Sequence, residues 1–166
     1  MESPYLVVFA DNRPAREAFI EAYKMQRAGK IKEAVHFYRL SIKFKPTAES
    51  YTFMGWTFSL IGKYATSIKL CKKAIRIDPG FGNPYNDIGI YLMEQKKFDK
   101  AIPWFSRAKE ADRYATYFYP YYNLGRLYET IGRIEKARLE YEASIRLRPD
   151  FLPARLYLLR ILNLYN

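Results

Sequence analysis

Hydrophobic positions along the chain recur with a period near 3.6 residues, which predicts amphipathic helices. Small residues interrupt them at regular intervals. Four stretches read as variations on one helix: 32–46, 65–79, 99–113 and 135–149. Their ends are 33, 34 and 36 residues apart. Upstream of each lies a small residue (Ala22, Gly55, Gly89, Gly125) and then a turn position (Gly29, Gly62, Lys96, Gly132). Each repeat therefore holds two helices. First helices are predicted at about 14–28, 48–61, 84–95 and 120–131, and second helices at about 31–44, 64–77, 98–111 and 134–147. A ninth follows over 152–165. Glycine ends the first helix of a pair by adopting a left-handed conformation. Proline stops the second, and Pro14, Pro84, Pro120 and Pro153 sit where a new helix starts and a missing N–H costs nothing. Pro103 falls inside a second helix, where a local kink is expected.

Ala22, Gly55, Gly89 and Gly125 let paired helices approach closely. Tyr38, Cys71, Phe105 and Tyr141 on the second helices fill the space opposite. The pattern Tyr51…Met54-Gly55…Phe58, Ile88-Gly89 and Tyr121…Leu124-Gly125…Tyr128, each followed by Ala or Ser and a closing Pro or Arg113, resembles the tetratricopeptide repeat (TPR). The resemblance covers about residues 14–151. It implies an all-α, right-handed superhelical α-solenoid that works as a non-catalytic scaffold or adaptor for proteins and peptides. Arg113 departs from the closing proline, Lys96 from the turn glycine, and Glu21 stands where leucine is usual. The expected organisation is an extended segment at 1–13 and one domain at 14–166. Its repeats are about 15–47, 48–81, 82–117 and 118–151, with a capping helix at 152–165.

In such a solenoid the first helices line a concave surface. One step around from the inward-packing set stand Arg16, Phe19, Ile20, Tyr23, Thr52, Phe53, Trp56 and Leu60. Farther along are Asn86, Asp87, Ile90, Met93, Tyr122, Asn123 and Arg126. This groove is expected to take an apolar or aromatic segment of a partner. The competing reading is that these rings complete the inter-repeat core. TPR proteins that clamp C-terminal carboxylates of heat-shock chaperones use Lys, Arg and Asn at places held here by Phe19, Tyr23, Phe53, Asn83 and Asp87, so that function is not expected.

The remaining features refine the picture. The chain has 166 residues and a formal net charge of +11, with 17% aromatic residues, 16 of them Tyr. Residues 24–76 hold twelve bases and two acids. Within them Lys69, Lys72, Lys73 and Arg76 form a basic patch on one second helix. It suits an acidic protein surface ahead of nucleic acid or an anionic membrane surface. The run Tyr5–Ala10 predicts an extended piece acting as cap, lid or exchanged segment. On the last helix Tyr157, Leu158, Ile161, Leu164 and Tyr165 suggest an end-on interface, for self-association or a partner. One Cys and one His leave no disulfide framework and little for a metal site, so neither metal nor cofactor is expected. His36 is expected on an outer face and Cys71 as an inert buried thiol. No nucleophile–base pair or phosphate loop is legible. The short apolar run after Glu2 is unlike a secretory signal, and an intracellular, cytoplasmic setting is expected.

Overall fold

A computed structural model describes residues 4–165. Among the described residues an N-terminal 3-10 helix, Pro4–Phe9, precedes nine α-helices. These are α1 (Arg13–Arg27), α2 (Ile31–Phe44), α3 (Ala48–Ser59), α4 (Tyr64–Ile77), α5 (Asn83–Glu94), α6 (Phe98–Lys109), α7 (Phe118–Thr130), α8 (Ile134–Leu147) and α9 (Leu152–Tyr165). The densest contacts are within the pairs α1/α2, α3/α4, α5/α6 and α7/α8. Consecutive pairs then stack through α2/α3, α4/α5 and α6/α7. First helices also touch each other across repeats, α1 to α3, α3 to α5 and α5 to α7, whereas no comparable contact joins α2 to α4 or α4 to α6. The stack is tighter along its first helices, so they form the hollow side of a right-handed α-solenoid.

The turns explain why the pairs close. Gly29, Gly62, Lys96 and Gly132 share a positive φ between 57° and 74°. After each, a backbone N–H reaches five residues back: Lys30 N to Met25 O, Lys63 N to Phe58 O, Lys97 N to Leu92 O and Arg133 N to Tyr128 O, at 2.8–3.1 Å. This six-to-one bond satisfies a carbonyl left over at the helix end. Lys96 does it without glycine, at a cost of about 1–2 kcal/mol for a side chain in the left-handed region. α6 continues through Pro103.

Packing follows the small-against-large pattern. A Cβ on Gly89 would lie 2.6 Å from the Phe105 ring, and one on Gly125 would lie 2.7 Å from Tyr141. Gly55 faces the smaller Cys71 and has more room, with its nearest neighbours at 3.2 and 3.3 Å. Repeats one and four also share polar bonds. The Ser41 hydroxyl donates to Ala15 O and that of Ser144 to Phe118 O; Tyr38 donates to Gln26 and Tyr141 to Glu129. Each ties a second helix to its first with a buried polar atom satisfied.

Two departures from expectation have clear causes. Residues 4–9 are a 3-10 helix rather than extended. An extended run would have no strand beside it in an all-α fold and so no partner for its backbone groups. Coiled, it turns Phe9 fully inward against Phe19 (ring centroids 5.1 Å) and Tyr5 toward Phe53 (5.1 Å) and Phe81 (6.3 Å). Lys45 donates to Val8 O (2.8 Å) and pairs with Asp11, fastening the segment to the end of α2. Residues 1–3 of the expected extended segment lie outside the described residues.

The second departure is Arg113. Its guanidinium pairs with Asp78 and, at 2.7 Å, with Glu49, and it covers the Phe81 ring at 4.3 Å. Glu49 is 1% exposed, and burial raises its pKa while Arg113 opposes the rise. The backbone joins in through Gly82 N to Arg113 O (3.0 Å) and Arg113 N to Gly80 O (2.9 Å). The residue in the proline's place thus clamps the end of repeat three onto repeat two.

Candidate functional site

The hollow side holds a cavity of about 580 Å³. Four first helices build most of it, because they rather than the second helices face inward, and the α6–α7 linker and Tyr5 complete it. Of the expected groove residues, Tyr23, Phe53, Trp56, Asn86, Asp87, Ile90, Tyr122, Asn123 and Arg126 line it together with Thr52. Trp56 is 39% exposed beside it, whereas Phe53 is 8% exposed and meets Phe19, Tyr23, Trp56 and Tyr5 edge-on. The two competing readings therefore divide the residues. Phe53 is both wall and core, and Trp56 presents an open face.

Five expected groove residues, Arg16 among them, are not on this lining. Phe19 is 4% exposed and packs edge-on against Tyr38 in the first core cluster. With Ile20 it borders a smaller apolar cavity of about 460 Å³ beside Tyr5 and Leu6. Leu60 is exposed just past the end of α3, where helical periodicity no longer places side chains. Met93 packs against the cluster around Phe105.

Sequence reasoning missed Tyr5, Ser59, Asn83, Tyr91, Tyr114, Thr116 and Tyr119 on the lining. Tyr114 and Thr116 come from the linker whose extra residues stretched the third spacing to 36, the one legible signal, and Tyr119 from the first turn of α7 just after it. The Arg113 clamp holds that linker, and Tyr114 seats over Gly82, where a Cβ would lie 2.7 Å from its ring. Tyr5 reaches the groove only through tertiary folding.

The polar floor lies on α5, where Asn83, Asp87 and Tyr91 follow at intervals of four and share one face. Asn83 Nδ2 donates to the Tyr5 hydroxyl at 3.2 Å, and Asn123 Nδ2 donates to Asn86 Oδ1 at 3.0 Å, tying repeat four to repeat three. Burial raises the Asp87 carboxyl to about 7, and the Asn86 amide only partly offsets it. The residue as a whole is half-buried and lines the cavity. Burial likewise pushes the Tyr91 and Tyr114 hydroxyls up. The lining carries a single cation, Arg126, which lies 5.7 Å from the Tyr122 ring centroid.

Outside the groove, Lys69, Lys72, Lys73 and Arg76 are exposed along α4 as expected. Two of them have aromatic partners: Lys72 over Trp104 at 5.9 Å and Lys73 over Tyr51 at 5.6 Å. On α9 the expected end face needs correction. Ile161 is 2% exposed and packs with Ala137 and Tyr141, and Tyr157 and Leu158 lean on the same cluster. The helix turns this side to α8 because that cluster offers an apolar surface to cover. Leu164 is exposed, as are Leu152, Leu156 and Leu159, while the Tyr165 side chain lies outside the described residues. His36 is exposed beside Phe37. Cys71 is fully buried, and burial pushes its thiol well up. Among the described residues no group of three or more His, Cys, Asp or Glu is placed to hold a metal ion, and no helix is long and apolar enough to cross a membrane.

Models of the tetratricopeptide repeat match residues 48–81 and 81–150. The small glutamine-rich tetratricopeptide repeat-containing protein 2 of Mycosarcoma maydis is 27% identical over 103 residues, covering 61% of this chain and 29% of that protein. The chain spans less than a third of the curated relatives it matches. Among solved structures, the MamA protein superposes with a TM-score of 0.68 at 25% identity, covering 85% of this chain and 76% of that one. Pseudomonas aeruginosa PilF superposes with a TM-score of 0.81 at 21% identity, covering 90% and 68%, a likeness of fold.

Proposed function

This chain belongs to the tetratricopeptide-repeat family, whose fold is a protein-interaction scaffold, and from that premise we propose that its groove holds an apolar or aromatic segment of a partner protein. The observation that carries this reading is a cavity of about 580 Å³ walled by eight aromatic rings, with Trp56 39% exposed and only two charged residues on the lining. Amphipathic rings give large contact area at low entropic cost, and a half-open indole is the kind of residue on which binding energy concentrates. A C-terminal carboxylate is not the favoured ligand. The groove offers Arg126 alone as a cation, and Asp87 on the neighbouring first helix would repel a carboxylate. The basic face of α4 is the weaker candidate, since Lys72 and Lys73 already lie over rings of this chain.

The test is selection of random twelve-residue peptides on the immobilised protein, followed by titration against Trp56→Ala. Enrichment of aromatic and aliphatic residues is expected, with an affinity loss of about tenfold or more in the variant. Peptides that bind the variant equally well, or a selection that yields none, would refute the groove reading. Far-UV circular dichroism checks that the variant keeps its fold.

A further inference from the structure

The floor of the groove is built for a charge the chain itself does not supply. Asp87 has no ion pair among the described residues, although it faces a wall of rings. Arg126, the other charge on the lining, lies over Tyr122 instead. Two further acceptors stand one helical turn to either side of Asp87. Asn83 Oδ1 is buried with no hydrogen-bond partner, and the Tyr91 hydroxyl, on a residue 4% exposed, makes no bond of ordinary geometry and has only the Ser59 hydroxyl near it, which already donates to Trp56 O. Native structures rarely leave such atoms unsatisfied, and an unpaired buried carboxylate is costlier still. Three neighbouring groups on one helix face therefore lack a positive charge, and the Asn86 amide beside Asp87 only partly meets their need for donors.

We propose that this floor is an arginine subsite: Asp87 takes the guanidinium of an arginine side chain in the bound segment, and Asn83 Oδ1 and the Tyr91 hydroxyl accept its remaining N–H groups. The inference rests on the groove reading above and names one residue of its ligand. Arginine fits better than lysine for three reasons. Its five donors in a planar fork match a carboxylate flanked by two acceptors. Its delocalised charge sheds water more readily and stacks on aromatic faces such as Tyr114 and Trp56. It also stays ionised in a site where an ammonium group would tend to lose its proton. The basic balance of the whole chain does not oppose this, because the excess sits on residues 24–76 and the second helices there face outward.

The probe is Nα-acetyl-arginine amide, titrated into the full chain and followed by the side-chain amide signals of Asn83 and Asn86 and the indole signal of Trp56. The neutral isostere Nα-acetyl-citrulline amide and Nα-acetyl-lysine amide serve as controls. Arginine is expected to bind at least fivefold tighter than either control, and Asp87→Asn to erase that preference while the fold is retained. Because Asp87 titrates near 7 in the free groove, affinity should rise about tenfold from pH 6 to pH 8 as the carboxylate ionises. The groups facing it do not interfere. Tyr5, Cys71, Tyr91 and Tyr114 are all pushed upward and stay neutral across that range. Equal binding of citrulline, equal binding of lysine, or a preference that survives Asp87→Asn would each overturn the subsite. If Trp56-dependent peptides are selected but the probe shows no preference, the subsite falls and the groove stands. If neither binds, both fall.

Discussion

Replacing Gly89 with alanine adds one methyl group at the glycine with the least room for it. The new Cβ would lie 2.6, 2.7 and 2.8 Å from three atoms of the Phe105 ring. Phe105 is fully buried and packed among Cys71, Ile88 and Leu124, so the ring has nowhere to retreat. Overpacking of this kind costs about 1–3 kcal/mol. Steric overlap with a closed ring belongs at the upper end, about 3 kcal/mol, and the better helix propensity of alanine returns about 1 kcal/mol. The net expectation is a loss of about 2 kcal/mol. Gly55 supplies the internal control. It occupies the same place one repeat earlier, but its Cβ would meet Ser67 O at 3.2 Å, Cys71 Sγ at 3.3 Å and Leu70 Cβ at 3.5 Å. There the few tenths of an ångström required are roughly offset by the propensity gain, and the net change should lie within about 1 kcal/mol of zero. Urea unfolding followed at 222 nm gives both midpoints. Amide hydrogen exchange on α5 and α6 confirms that the loss is local, since stacked repeats need not unfold as one unit. The double variant Gly89→Ala/Phe105→Leu should lose less than the sum of its parts, because the smaller side chain vacates the clash. If Gly89→Ala is as stable as the parent, or if Gly55→Ala is the more damaging, the small-against-large account of helix pairing is wrong.

Two further outcomes follow from charged groups. Arg113→Ala strands Glu49, which is 1% exposed, and should cost about 2 kcal/mol, less than a fully buried pair because the guanidinium is partly open to solvent; Glu49→Gln in the same background should restore part of it, and urea midpoints of the three proteins would contradict the clamp if the single variant were neutral. The Asp87 carboxyl is raised to about 7 in the folded chain and titrates near 4 when unfolded, so between those values the folded state binds more protons and stability falls as pH rises. Asp87→Asn should therefore be close to neutral at pH 4.5 and stabilising by about 1–2 kcal/mol at pH 8, after allowing for the carboxylate's access to the cavity; parallel stability curves for parent and variant would contradict the buried-carboxylate assignment.

What could be read from the chain alone was whatever rests on neighbours a few residues apart. The bounds of α2, α4, α8 and α9 coincide with the helical pattern, because turn residues, prolines and the 3.6-residue period act within one or two turns. The small-to-large complement of Gly89 with Phe105 was legible too, since both recur at repeat spacing. Leu60 and Ile161 were misplaced by the same reasoning. Periodicity says which residues share a face, but not where a helix stops or which neighbour covers that face.

The groove belongs to the other category. Tyr5, Trp56, Asp87, Tyr114 and Tyr122 come from four separate stretches, and only the curvature of the stack brings them to one cavity. Arg113 looked like a flaw in a repeat until Glu49 and Asp78 were found around it, 64 and 35 residues away. Asp87 read as one more polar residue on an inner face; its lack of a cation is a property of everything packed around it. Local order was written in the repeat because backbone preferences are short-range. The site was decided by tertiary structure, because burial and the absence of a counter-charge are properties of the whole surrounding volume, which no segment encodes by itself.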